Sequence, residues 1–314
     1  MKNKVALVFP GQGSQVVGMG KDLYENFKCA KDVFETINDV IGSNLSKVIF
    51  EGPSDELTMT QNAQPALMAV SMAIVAVLEK EFSKKTEDMC QYVAGHSLGE
   101  YSALCAARSI SLEETASLLK IRGSSMAKCG QETQGAMAAI LGLEIFQVEE
   151  VVKEAAQNQI CEIANDNSVG QIVISGSRTA IERAIEISKN KGAKRSIMLP
   201  VSGAFHSMLM KNAQMEMIEA LKEANIKTPS IPLIANVTAD LVTSPVDIRT
   251  LLAQQITGSV RWRETMIFMQ NNNIEEVIEI GSGKVLAGLV SRTCPGLKSR
   301  SIQNLEDIKS FVGS

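Results

Sequence analysis

One stretch constrains this chain more than any other: Gln91–Ala107, QYVAGHSLGEYSALCAA. Tyr92-Val93-Ala94 is a short apolar run that reads as the end of a buried strand, and Glu100–Ala107 are good helix formers with apolar residues on one face. Between them lies Gly95-His96-Ser97-Leu98-Gly99, a G-x-S-x-G turn in strand–turn–helix context, the nucleophile-elbow pattern. A serine at the apex of such a turn projects its hydroxyl clear of the sheet. The flanking glycines remove Cβ atoms that would meet neighbouring backbone. The helix N-terminus beside Ser97 favours developing negative charge. The competing reading is a glycine-rich turn with an incidental serine. The strand before it and the helix after it favour the nucleophile.

A chain of 314 residues with 45% hydrophobic and 21% charged residues can hold one large globular domain or two. Its net charge of −4 argues against nucleic acid as an electrostatic partner. The six cysteines are scattered with no C-x-x-C and no His-Cys cluster, so reduced thiols are expected and no metal site. The apolar run at the N-terminus is too short for a signal peptide. The longest apolar stretch, Ala66–Leu78, has 13 residues and contains Ser71, which suits a buried helix and not a membrane span. The expected compartment is the cytoplasm.

The chain opens with a buried strand, Lys4–Phe9, running into the loop Gly11-Gln12-Gly13-Ser14-Gln15. Val16 stands where a dinucleotide fingerprint needs glycine, so the loop reads as a strand-end site whose N–H groups face an anion. Amphipathic helices follow over Asp22–Gly42. Gln61–Pro65 reads as a polar loop before a helix over Ala66–Glu81. Ser111 caps a helix carrying Arg122, which on the residues alone reads as a solvated arginine favouring the helix dipole. From about residue 130 the rhythm becomes β-α-β-β-α-β, with strands at Gly135–Leu143, Ile160–Ala164, Gln171–Ser175 and Arg195–Leu199 and a turn at Asn165–Ser168. Further strands are expected near Pro232–Val237 and Glu276–Ile280. Gly281–Lys284 lacks the spacing of a phosphate loop and is rejected as one. The expected fold is α/β: an α/β-hydrolase-like core with a parallel sheet, residues 1–129 and 199–314, plus an inserted ferredoxin-like (βαββαβ) subdomain, residues 130–198.

The chain has two histidines. His96 lies inside the elbow, where adjacent side chains diverge, and is not expected to reach Ser97. A serine nucleophile needs a base, which leaves His206, in the small-residue loop Pro200–Ser207.

Phe9–Gln15 (FPGQGSQ), Ala63–Ala66 (AQPA), Gly95–Tyr101 (GHSLGEY), Arg122-Gly123 and Gly203–Ser207 (GAFHS) occur in this order. With them the chain closely resembles, over essentially its whole length, the malonyl-CoA:acyl carrier protein transacylases of bacterial type II fatty-acid synthesis. The resemblance implies that Ser97 carries a malonyl ester, with His206 as base and then acid. It implies that a backbone carbonyl at Gln255 orients His206, since a neutral acceptor still fixes the tautomer. It implies an oxyanion hole from the N–H groups of Gln12 and Leu98, and a bidentate clamp on the malonyl carboxylate from Arg122. Gln64 and Phe205 would contact substrate, Phe205 as in malonyl-selective members. Ser282 stands where proline is common. The implied partners are malonyl-CoA and phosphopantetheinylated acyl carrier protein, with no cofactor and a monomeric state. Lys191, Lys194, Arg195 and Lys284 are the expected docking residues for an acidic carrier. A discrete acyltransferase of a polyketide pathway is the alternative. A neutral orienter predicts an ordinary His206 pKa, and acylation that slows below about pH 6 to 7.

Overall fold

Leu7 and Phe9 point into one hydrophobic core and Ala6 and Val8 into another, as alternation along a strand requires when both sheet faces are covered. This strand, β1 (Val5–Phe9), lies inside a six-stranded sheet of the computed structural model, which describes residues 4–313. Residues 1–3 and 314, included in the expected core, lie outside the described residues. The other strands of this sheet are β2 (Tyr92–Gly95), β7 (Leu233–Ile234), β8 (Leu241–Val242), β9 (Glu276–Ile280) and β10 (Lys298–Ile302), in the order β10-β9-β1-β2-β7-β8. All neighbours are parallel except β7 and β8. The register pairs Phe9 with Gly95, so two strands end side by side, one at the Gly11–Gln15 loop and one at the elbow. The edge strands β8 and β10 were not expected from the sequence.

The helix Thr60–Phe82 packs across this sheet with every residue from Ala63 to Val75 buried, which accounts for the long apolar stretch. It begins within the expected polar loop: Gln61–Pro65 form its opening turns. Pro65 lacks the N–H that would bond the Gln61 carbonyl, but Gln61 is partly exposed, so water can serve that oxygen. Burial of the apolar length outweighs the local proline signal. Gln64 is thereby fixed on a rigid helix and buried. Among the described residues no helix is long and apolar enough to cross a membrane.

A second, antiparallel sheet is built from β3 (Gly135–Leu141), β4 (Cys161–Ser168), β5 (Gln171–Ser177) and β6 (Arg195–Met198), in the order β4-β5-β3-β6. The helices Ile145–Ala156 and Arg178–Asn190 bury their apolar stripes against it. The expected turn at Asn165–Ser168 is instead the end of β4, and the reversal falls at Val169-Gly170, where Gly170 has φ 68°. These polar residues read as a turn because their partners are far off in sequence. Asp166 accepts from Arg263 Nε at 2.9 and 3.0 Å, and Asn167 Oδ1 bonds the His96 ring at 2.8 Å. Backbone bonds between Val260 and both Ala164 and Asp166 complete the seam joining the two sheets.

Candidate active site

The elbow is built by close approach. A Cβ on Gly95 would strike the backbone of Gly99, and one on Gly99 would strike the carbonyl of Phe9. Only glycine at both positions lets β2 turn this sharply over the end of β1. Ser97 at the apex has φ 54°, a left-handed conformation that costs an L-residue on the order of 1 kcal/mol or more. Asn236, just past β7, braces it from below. Its Oδ1 accepts the Ser97 N–H at 2.8 Å while its Nδ2 donates to the Gly95 carbonyl at 2.7 Å.

Ser97 Oγ lies 2.8 Å from His206 Nε2, and His206 Nδ1 lies 2.8 Å from the Gln255 backbone oxygen. A carbonyl only accepts, so in the neutral ring Nδ1 carries the proton and Nε2 is left bare to accept from the serine hydroxyl. Two residues from separate parts of the chain thus meet in the geometry, and the ring in the tautomer, that a nucleophile and its base require. His96 points away: its Nε2 bonds Asn167, and its ring meets Trp262 edge-on at 5.5 Å.

Arg122 departs from the solvated reading. It is 1% exposed, because it falls on the same stripe of the helix Leu112–Thr133 as the buried Leu118, Leu119 and Met126. One terminal nitrogen donates to Gln64 Oε1 at 2.7 Å. The other donates to Gln255 Oε1 at 2.8 Å and to Ser97 Oγ at 3.1 Å. The Tyr101 ring lies 5.7 Å from the guanidinium carbon. Among the described residues no carboxylate pairs with this cation within 4.0 Å.

The N–H groups of Gln12 and Leu98 find no acceptor among the described residues and sit beside Ser97 on the wall of one cavity of about 380 Å³. Gln64, Arg122, Phe205 and His206 line the same cavity, with Met126, Met137 and Val173 supplying apolar surface. Every residue anticipated for the chemistry therefore converges here, Gln255 reaching it through His206 and Arg122.

Burial, and secondly the Arg122 charge, push His206 down to about 3, against the opposing pull of its hydrogen bond to Gln255. The ordinary pKa expected from a neutral orienter is not retained, because the orienter's effect is smaller than the desolvation of the imidazolium. A depressed pKa keeps the base neutral down to that value. The second-order rate of Ser97 acylation is therefore expected to show no acid limb between pH 7 and pH 5. An acid limb centred near 6.5 in single-turnover acylation would show that the ring is solvated.

The acyl transferase domain family matches residues 6–309 of this chain. The chain belongs to that family. A malonyl CoA-acyl carrier protein transacylase of Bacillus subtilis (strain 168) is 43% identical over 311 residues, covering 99% of this chain and 96% of the relative. The crystal structure of the acyl-carrier-protein-S-malonyltransferase from Bartonella henselae superposes with a TM-score of 0.96 at 49% identity, covering 100% of both chains. A solved complex of a type II PKS acyl-carrier protein, in holo form, with its malonyl-transacylase matches with a TM-score of 0.94 at 37% identity, covering 98% of this chain and 99% of that one.

Three residues of this acyl transferase escaped the sequence reading: Asn236, Asn167 and Glu100. Asn167 and Asn236 were hidden in stretches read as a turn and a plain strand. Glu100 lay in view, since a carboxylate placed among helix residues packed on a sheet announces a buried partner. Of the four expected docking cations of this acyl transferase, Lys191 is held by Glu150 at 3.0 Å and Glu154 at 3.8 Å, while Lys194, Arg195 and Lys284 are exposed. Lys284 follows Ser282, whose hydroxyl bonds the Ser14 carbonyl at 2.8 Å, beside the Gln12 loop.

Proposed function

We propose that this chain transfers the malonyl group from malonyl-CoA to the phosphopantetheine thiol of an acyl carrier protein through a malonyl-Ser97 ester. One observation carries the reading: a permanently charged guanidinium is enclosed 3.1 Å from the serine hydroxyl with no carboxylate among the described residues in direct contact with it. A buried cation without a carboxylate in direct contact is costly, and an acyl group bearing its own carboxylate supplies one. A plain thioesterase has no use for it.

Ser97 Oγ attacks the thioester carbonyl while His206 Nε2 takes the hydroxyl proton. The tetrahedral oxyanion forms against the N–H groups of Gln12 and Leu98. Its collapse breaks the C–S bond, and His206 returns the proton to the departing CoA sulfur. The carrier thiol then gives its proton to His206 and attacks the ester. Collapse of the second oxyanion releases malonyl thioester, and the proton returns to Ser97. Gln255 orients His206 through its carbonyl, Gln64 steadies the second guanidinium nitrogen, and Phe205 shapes the wall along the malonyl unit. The sequence needs no cofactor. Lys194, Arg195 and Lys284 are the docking cations for the acidic carrier.

The accompanying fold reading is an α/β-hydrolase-like core of residues 1–129 and 199–314 with a ferredoxin-like insertion at 130–198, supported by the parallel strand order around the elbow and the order β4-β5-β3-β6 in the second sheet. A monomer in the cytoplasm completes the proposal. The likeness to a malonyl-transacylase seen with a type II PKS carrier supports a second reading, a discrete acyltransferase feeding a polyketide carrier. Relative efficiencies with fatty-acid and polyketide carriers separate the two.

Intact-protein mass spectrometry after brief exposure to malonyl-CoA is expected to show one added malonyl group, discharged on addition of holo carrier protein. Ser97→Ala is expected to show none. An adduct persisting in that variant places the nucleophile elsewhere.

A further inference from the structure

Gln255 serves the site twice, and its side chain leads to a carboxyl group the reaction does not use. Glu100, in the first turn of the elbow helix Gly99–Ala106, is 1% exposed. Its Oε2 accepts from Gln255 Nε2 at 2.5 Å and from the Asn236 backbone N–H at 3.4 Å. At the other end of the same amide, Gln255 Oε1 accepts from Arg122 at 2.8 Å. Gln255 Nε2 also donates to the Ser97 carbonyl at 3.0 Å and to Asn236 Oδ1 at 3.3 Å, both longer than the bond to Glu100. A carboxylate only accepts and a guanidinium only donates, so one orientation of the amide satisfies both. Turned over, it would set its NH₂ against the guanidinium and its oxygen against the carboxylate.

We propose that Glu100 is a positioning residue for malonyl selection: acting through Gln255, it holds the Arg122 guanidinium toward Ser97 and is the resting counter-charge of that cation. The inference rests on the malonyl-transfer reading above. The charged and titratable groups that face Glu100 are Arg122 from the helix Leu112–Thr133 and Tyr101 from its own helix. Asn236 and Gln255, from the other elements packed on it, are uncharged.

A malonyl carboxylate arriving at Arg122 brings a second negative charge to a cation already shared with Glu100. Binding is therefore favoured when Glu100 is protonated. Burial raises its carboxyl to about 7, against the opposing pulls of Gln255, Asn236 and Arg122, so its charge changes within an accessible range. The sign follows: as pH falls from 8.5 to 5.5 the carboxyl gains its proton, and malonyl transfer improves relative to acetyl transfer. His206, neutral across this window, does not move the ratio.

The test measures kcat/KM for malonyl-CoA and for acetyl-CoA across that pH range in the full chain. In the wild type the malonyl-to-acetyl ratio is expected to rise roughly tenfold toward low pH, a coupling of ordinary size. Glu100→Gln keeps an acceptor oxygen for Gln255 and removes the charge, so its ratio is expected to stay high and flat. Glu100→Ala removes the shortest of the three acceptors of Gln255 Nε2, leaving the Ser97 carbonyl at 3.0 Å and Asn236 Oδ1 at 3.3 Å, and loosens the amide. The ratio is expected to fall about tenfold below that of the equally uncharged Glu100→Gln, a change that general destabilisation, acting on both substrates alike, would not produce. A ratio in Glu100→Ala equal to that in Glu100→Gln, or a ratio in Glu100→Gln that still follows pH, overturns the inference. If the alanine variant does not fold, the glutamine series decides alone. A wild-type chain inert toward malonyl-CoA overturns the functional reading instead.

Discussion

Replacing His206 with alanine is expected to slow malonyl transfer by on the order of 10⁴- to 10⁶-fold, because a nucleophile and its base act as a unit. In the resting structure the imidazole is the group placed to take the Ser97 proton, at 2.8 Å, and the second histidine is engaged with Asn167. For the same reason the Ser97→Ala, His206→Ala double variant is expected to be no slower than the worse single variant. The measurement is single-turnover acylation followed by discharge to carrier protein, with thermal melting as a check that the variant folds. A loss below a hundredfold in a folded variant would mean that another group removes the proton.

Replacing Arg122 with alanine is expected to separate two substrates that share a reacting carbonyl. Malonyl and acetyl thioesters differ by one carboxylate, and enclosing that carboxylate without a partner is very costly. Removing one member of a desolvated charge pair typically costs on the order of 2–5 kcal/mol. That is roughly a 30- to 3,000-fold loss of malonyl transfer efficiency. Acetyl transfer is expected to hold or improve. Arg122→Lys is expected to recover part of the loss, since an ammonium cannot reproduce the planar fork that reaches Gln64, Gln255 and Ser97 together. The deciding quantity is the ratio of the two efficiencies. An equal fall in both assigns Arg122 to the stability of the fold and leaves selection to another cation.

What could be read from the sequence was mostly local. The elbow is a backbone event spanning a few residues, so a strand end, two glycines and a helix start suffice to place Ser97. His206 followed by elimination, which works only in a chain so poor in histidine. Arg122 was read as solvated from the side chain's own preference, although its spacing from Leu118, Leu119 and Met126 put it on the buried stripe. Periodicity there carried more information than residue type. Asn165–Ser168 failed for the opposite reason, because composition says turn, whereas its backbone pairs with β5 and Val260 while Arg263 and His96, brought in from elsewhere, satisfy its side chains. The Gln61–Pro65 loop failed because packing of the apolar helix behind it decided its conformation. The depressed pKa of His206 had no sequence signal, since it depends on how completely water is excluded.

The position of β1 inside its sheet has a consequence for synthesis on the ribosome. One neighbour, β2, is made soon after it, while the other, β9, is made only when most of the described chain is complete. The nascent sheet must therefore wait with one flank of β1 open, while the second sheet, whose four strands are made before the Val260 segment that bridges to β4, can close earlier. The elbow emerges ahead of His206 and Gln255, so during elongation the serine exists without its base. A chain stalled before His206 would present the bare flank of an apolar strand, a ready template for aggregation, together with a serine elbow still without its base.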